Sequence, residues 1–394
     1  MPPRLLPAAV LAGLLAAGAL APSVRAQPAD DPSTILDDRA FEMPARRGLG
    51  LLYNAQFAEA RAAFDTLAAR YPDHPAAAFL RALVPWWEIL LDLSDTSRDE
   101  AFYDAMDEVV RLADRRLRRD EYDLDARFFK GAALAFRARL RANRRDYVRA
   151  AFDAKGALDY VLDVARRDPA NADFQFGRGV YDYYAAALRE EHPRLRPLLT
   201  FFARGDRDRG RHLLEFTFQR GTYLQAEAAY QLALLEYVHE RDYDAARRYV
   251  DWLRYYYPRN PFFHTLEGRL HATFGHLDEA DRVFRAVLGR HDAGAEGYNA
   301  AAAEQALYYL ARSAMIRREY GEALALLYRL EQLGEARATR SAFVVLGRLR
   351  QGMAHDARGE RDAALRRYHE VLALPDRSGA HESARRYIEA PYQG

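Results

Sequence analysis

One three-residue pattern constrains this chain more than any other feature. In YDAARRYVDWLRYYYPRNP (243–261) a small residue, Ala246, is followed four places on by Val250 and three further by Leu253. The same arrangement returns 34 residues later as Ala280, Phe284 and Val287. It recurs as Ala60-Phe64-Leu67, Ala157-Val161-Val164, Ala323-Leu327-Leu330 and Ala364-Tyr368-Val371, with a weaker copy at Gly210-Leu214-Thr217. Steps of four and three put all members of a triplet on one face of a helix. Twelve residues before the small member stands a glycine in three copies, Gly48, Gly268 and Gly352, and twelve after it a proline in three, Pro72, Pro169 and Pro258. A small residue lets two helices approach closely while the bulky members fill the space beside it. The glycine does the same on the partner helix, and proline ends the second one.

Alanine, arginine and leucine dominate the chain, no strand alternation appears, and prolines cut it into helical lengths. This pattern resembles the tetratricopeptide repeat, a 34-residue helix–turn–helix unit, here of the exported bacterial kind. Residues 261–294 carry the clearest copy, with Gly268, His271, Gly275, Ala280 and Phe284 in register; His271 and His355 stand where the family usually has tyrosine. Spacings of 43 (Ala280 to Ala323), 41 (Ala323 to Ala364) and 97 (Ala60 to Ala157) imply lengthened units and a degenerate helix pair near 76–91 and 101–119. The expectation is therefore an all-α α-solenoid of stacked antiparallel helix pairs forming a right-handed superhelix. Its six to eight pairs would span residues 41–378, with insertions near 137–149 and 189–209 and a capping helix and tail at 379–394. A narrower likeness, on FGRGVYDYYAAAL (176–188) and FFARGDRDRGRHLLEF (201–216), is to the eukaryotic inclusion-body-clearance family of such proteins. That family is associated with outer mitochondrial membranes and lipid droplets. The likeness implies that the 189–209 insertion belongs to the fold and transfers no activity.

Acidic and basic residues nearly cancel, 57 against 58, so the chain is not built as a whole for nucleic acid. Only Lys130 and Lys155 are lysines; the other basic residues are arginine, a bias that a GC-rich genome would produce. Arg4 followed by the Ala/Leu-rich run 5–20 and VRA (24–26) reads as a signal peptide, residues 1–26, cleaved before Gln27. QPADDPSTILDD (27–38) reads as the core of a flexible leader extending to residue 40. The absence of cysteine removes disulfides, thiolate metal sites and a lipoprotein anchor. The expected address is the periplasm, free or associated with the outer membrane.

Candidate chemistry is sparse. His264, Glu267 and His271 fall at i, i+3 and i+7 with His276 nearby, a spacing able to present metal ligands. Metal sites draw ligands from converging elements, so the expected reading is packing, with His271 in the tyrosine slot and Glu267 facing water or an arginine. No metal and no cofactor is assigned. The acidic run DEYDLD (120–125) is read as a helix start rather than a carboxylate pair. Asp107/Arg111, Asp281/Arg285 and Asp362/Arg366 are spaced as helical ion pairs. No GxSxG, HExxH or phosphate-loop motif is present, and no catalytic residue is assigned.

Two stretches point to surfaces. RARLRANRRDYVR (137–149) has six arginines and one acid and suits anionic lipid headgroups or, more plainly, a solvated face. HPRLRPLLTFFARG (192–205) reads as a hairpin docked on the stack or an apolar tip for a partner. In the resembled family, first-helix residues on the concave face hold ligands. That register implies a groove lined by Phe128, Phe136, Phe176, Tyr183, Tyr184, Gln231, Phe262, Arg269, Tyr308 and Arg312. The functional expectation is a non-catalytic scaffold of the cell envelope that binds a protein or peptide in that groove. Its alternatives are a membrane-surface adaptor using the arginine patch and the apolar hairpin, and a helical accessory to a cell-wall enzyme. Nucleic acid is not among the expected partners.

Overall fold

The computed structural model describes residues 34–191 and 204–394, and among them there is no β-strand. Seventeen α-helices follow one another among the described residues. They pair as α1 (Arg39–Tyr53) with α2 (Phe57–Arg70), α3 (Pro75–Leu91) with α4 (Asp99–Leu117), and α5 (Leu124–Asn143) with α6 (Tyr147–Arg167). Then come α7 (Ala172–Glu191) with α8 (Arg207–Arg220), α9 (Gln225–Leu235) with α10 (Tyr243–Tyr256), and α11 (Pro261–Phe274) with α12 (Leu277–Asp292). Last are α13 (Ala300–Ile316) with α14 (Tyr320–Glu335), α15 (Ala342–Ala357) with α16 (Arg361–Leu372), and the closing helix α17 (Ala380–Glu389). Odd numbers are thus the first helices of pairs and even numbers the second. The described residues form two compact units, one of 34–88 and 97–253, the other of 89–96 and 254–394.

Local sequence explains where the helices start. Asp38, Asp123, Asp206 and Asn299 each accept a hydrogen bond from a backbone N–H in the first turn of the helix they precede. Asn260 accepts two, from Phe262 and Phe263, with Pro261 at the first helical position where its missing N–H costs nothing. Turns between paired helices use a left-handed residue six times: Ala55, Arg145, Arg241, Gly275, Arg318 and Gly359.

The triplets are the contact points within each unit. Ala60, Phe64, Leu67, Ala246, Val250, Leu253, Ala280, Phe284 and Val287 are buried, as are the members at 323–330 and 364–371 and the weaker copy at Gly210. Val161 alone is only half-buried. A Cβ on Gly268 would stand 2.6 Å from Phe284 Cζ, and one on Gly48 or Gly352 would collide with the Phe64 or Tyr368 ring. The far side of the Phe284 ring stacks on Tyr309 of α13, centroids 4.9 Å apart. One aromatic side chain therefore ties a first helix, its partner and the next first helix.

Two expectations about boundaries change. The flexible leader ends earlier than residue 40, because Ile35–Asp37 forms a 3₁₀ turn with Leu36 buried. The Ile35 N–H donates to Asp125 Oδ2 (2.8 Å) and Tyr223 Oη donates to the Leu36 carbonyl (2.8 Å), so this stretch is held from two sides. Residues 137–149 are not a looped-out insertion; they are the end of α5 and the start of α6, and the added length is helix. The stretch 192–203, with most of the apolar segment and the middle of the 189–209 insertion, lies outside the described residues, as do residues 1–33.

Arginines hold neighbouring helices by forked contacts. Arg144 places two nitrogens on Asp99 (2.5 and 2.7 Å), and Arg209 two on Asp182 (2.7 and 2.8 Å). Arg317 spans Asp281 (2.6 Å) and Asp278 (2.7 Å), while Arg207 spans Glu190 (2.6 Å) and Glu240 (2.9 Å). Two of the three ion pairs expected along single helices give way to these: Asp281 takes Arg317 of the following turn far more closely than Arg285 (3.9 Å), and Asp107 takes Arg137 (2.6 Å). Planar guanidinium reaches two oxygens at once, which favours pairing between elements.

Candidate functional site

All ten expected groove residues lie on first helices: Phe128 and Phe136 on α5, Phe176, Tyr183 and Tyr184 on α7, Gln231 on α9, Phe262 and Arg269 on α11, Tyr308 and Arg312 on α13. Their exposure differs. Tyr183, Gln231 and Tyr308 are buried, and the other seven are half-buried.

In the unit of residues 34–88 and 97–253, aromatic contacts bind most of them into the stack. Phe128 meets Phe174 at 4.9 Å between centroids, and Phe136 meets Trp86 at 5.2 Å and Phe79 at 5.5 Å. Tyr184 Oη donates to Gln231 Oε1 (3.3 Å), and Tyr183 Oη donates to Glu240 Oε1 (2.6 Å), which Arg207 also reaches. Burial pushes both tyrosine hydroxyls well above their usual pKa, and the Glu240 carboxylate adds to the shift at Tyr183. His239 packs edge-on against both rings at 5.8 and 5.6 Å, at a π-helical turn, Glu236–Glu240. Arg139 of α5 lies over the Trp86 ring at 5.0 Å.

In the unit of residues 89–96 and 254–394, Arg269 and Arg312 hold equivalent places, each eleven residues before its triplet alanine, Ala280 or Ala323. Arg312 Nη1 donates to the Ala272 carbonyl (3.0 Å). Arg269 Nε is buried and has no hydrogen-bond partner among the described residues. Tyr308 is packed by Tyr309 (5.4 Å) and Phe343 (5.3 Å), and Arg350 of α15 covers its ring at 5.0 Å. Arg350 Nε likewise has no hydrogen-bond partner among the described residues. Successive first helices thus bring together aromatic faces and guanidinium groups. Arg350 and Phe343 were not legible in the sequence, since Arg350 falls fourteen residues before Ala364 rather than eleven and reaches sideways to α13.

The histidine set does not converge. His264 Nδ1 is 3.0 Å from Tyr298 Oη, Glu267 pairs with Arg254 (2.9 Å), and His271 is buried with its ring 6.3 Å from His276. Among the described residues no group of three or more histidines and carboxylates is placed to hold a metal ion. Asp123 of the acidic run caps α5, accepting the Ala126 N–H at 2.8 Å. A cleft of about 290 Å³ is lined by Asp278, Asp281, Glu319, Glu322, Arg285 and Arg317, and its charges largely answer one another. No helix among the described residues is long and apolar enough to cross a membrane.

The family model described as tetratricopeptide repeat matches residues 46–86, which run from α1 through α2 into α3. The chain carries a tetratricopeptide repeat. No curated protein matches it. Among solved structures, yeast Tom70 is similar at 12% identity and a TM-score of 0.45, covering 90% of this chain and 82% of that one. A tetratricopeptide repeat protein from Parabacteroides merdae is similar at 14% identity and a TM-score of 0.42, covering 76% of this chain and 98% of that one. Repeats of this family generally serve as scaffolds for protein partners.

Proposed function

We propose that this tetratricopeptide-repeat chain is a non-catalytic interaction scaffold of the cell envelope that holds a peptide segment of a partner on its first-helix face. The observation that carries this reading is the pair Arg269 and Arg350, half-buried on first helices and without an ion-pair partner among the described residues. A partly desolvated guanidinium without an acid gains from a carboxylate or carbonyl brought to it. Most other arginines of that unit already have acids, as Arg254, Arg317, Arg329, Arg337, Arg348 and Arg367 do. The envelope address rests on the signal-like sequence of residues 1–26.

Photo-crosslinkers placed at Phe262, Arg269 and Arg312 in cells test the face. A discrete partner should be captured from these positions and not from the exposed Tyr255. Equal yields from both, or none from the first three, would refute the assignment. N-terminal sequencing of protein recovered from its native cells tests the address, for which a start at Gln27 is expected and a start at Met1 is the contrary result.

A further inference from the structure

The corner between α5 and α6 presents a surface that the peptide-binding face does not use. Arg145 turns the chain with a left-handed φ of 65°, and α6 then starts with Tyr147 and Val148 exposed. Val148, Phe152 and Lys155 follow at i, i+4 and i+7, so they form one outward stripe. Val148 is 69% exposed and Phe152 68%. The inward face of the same turns is satisfied without them: Ala150 and Ala157 are buried, and Asp153 is buried between Arg137 and Arg141. Core packing therefore does not account for two large apolar side chains standing in solvent four residues apart.

Cations outnumber acids around the stripe: half-buried Asp146 stands beside Arg149, and exposed Asp159 follows Lys155 by four residues. The arginine-rich run sorts itself on folding. Arg137 is taken by Asp107 and Asp153, Arg141 by Asp153, and Arg144 by Asp99, while Arg139 lies over Trp86. Arg145 and Lys155 have no ion-pair partner among the described residues. Arg149 touches only Asp146, at 3.5 Å, and its side chain is mostly exposed. Three cations thus flank Tyr147, Val148 and Phe152. A second copy of the chain seated symmetrically on this patch would bring net positive charge against net positive charge. A bilayer with anionic headgroups satisfies both features, since its phosphates face the cations and its acyl boundary receives the apolar pair.

We propose that the α5–α6 corner is a docking surface for anionic lipid bilayers. Val148 and Phe152 enter the boundary between headgroups and acyl chains, Tyr147 sits at headgroup level, and Arg145, Arg149 and Lys155 meet phosphates. With two apolar side chains and three cations the attachment is reversible and weakens with salt. It does not depend on the peptide-binding reading.

The chain has no cysteine, so a single Val148→Cys or Phe152→Cys in the full chain can carry an environment-sensitive fluorophore at one site. Tyr255→Cys, an exposed aromatic position at the end of α10, is the control. Equal parts of phosphatidylglycerol and phosphatidylcholine should shift emission at 148 and 152 to the blue at low salt and leave 255 unchanged. High salt, or pure phosphatidylcholine, should reverse the shift. Adding Arg145→Glu and Arg149→Glu should weaken vesicle binding read at 148 at least tenfold, with the circular dichroism melt unchanged. The proposal is overturned by no shift at 148 and 152, by an equal shift at 255, or by a shift that survives the two charge reversals. A shift that appears without vesicles as protein concentration rises would assign the patch to self-association instead.

Discussion

Gly268 shows what a single residue decides here. The missing Cβ is the space that the Phe284 ring occupies, at 2.6 Å from where that atom would stand. Gly268→Ala should therefore destabilise the protein by about 1–3 kcal/mol through overpacking, read as a lower urea midpoint with unchanged slope. Trimming the ring in the same chain, Phe284→Leu, should cost less than the two single effects added together, because the residues share one space. Additive costs would mean that the two do not touch. His264 carries a different signal. Burial, with the Arg254 and Arg290 charges, pushes its pKa down to about 3. Its unfolded value lies near 6.5, so between pH 6.5 and 3 the unfolded chain binds a proton that the fold refuses. The stability this neutral histidine permits is whole above pH 6.5 and falls on acidification, by up to about 1.4 kcal/mol per pH unit. His264→Gln should flatten that part of the profile between pH 7 and 5 in denaturant titrations; identical slopes would place His264 in contact with water.

At the scale of elements, the turns hold a reserve. Of the six left-handed turn residues only Gly275 and Gly359 are glycine; Ala55, Arg145, Arg241 and Arg318 adopt the same conformation with a side chain. A left-handed backbone with a Cβ costs roughly 1–2 kcal/mol, part of which glycine returns through its greater freedom when unfolded. Arg318→Gly should thus raise the thermal midpoint, by about 1 kcal/mol of stability at most, and a lower midpoint would show that the Arg318 side chain does more than turn the chain. Helix faces and close crossings were readable beforehand because a glycine opposite a ring leaves one arrangement. Helix lengths were less so. The α5–α6 pair extends to 20 and 21 residues, and Val161, in triplet register, ends half-buried. The degenerate pair near 76–91 and 101–119 corresponds to α3 and α4, where Trp86 meets Phe102 at 5.5 Å. Which first-helix side chains point outward depends on helix rotation, which spacing alone does not set. Hence Tyr183 and Tyr308 are buried, while Arg350, outside the register, covers the Tyr308 ring.

At the scale of the molecule, stability in stacked repeats is a sum of local terms and neighbour contacts. Phe284→Ala, expected to cost about 3–5 kcal/mol, should therefore loosen amide protection first in α11, α12 and α13, which its ring joins. Hydrogen exchange in α1 and α2 should change least, and a uniform loss across the chain would show all-or-none unfolding instead. The candidate face was legible as a set of helices and not as a set of atoms, because its character depends on which arginines folding leaves without an acid. The forked contacts of Arg144, Arg209, Arg207 and Arg317 bear on the composition itself. An ammonium ends in one nitrogen and cannot straddle two carboxyl oxygens in a fixed plane. A lysine-recoded version of this chain would migrate identically on an isoelectric gel and yet be a softer material, so the shortage of lysine, whatever its genomic origin, has become a mechanical dependency.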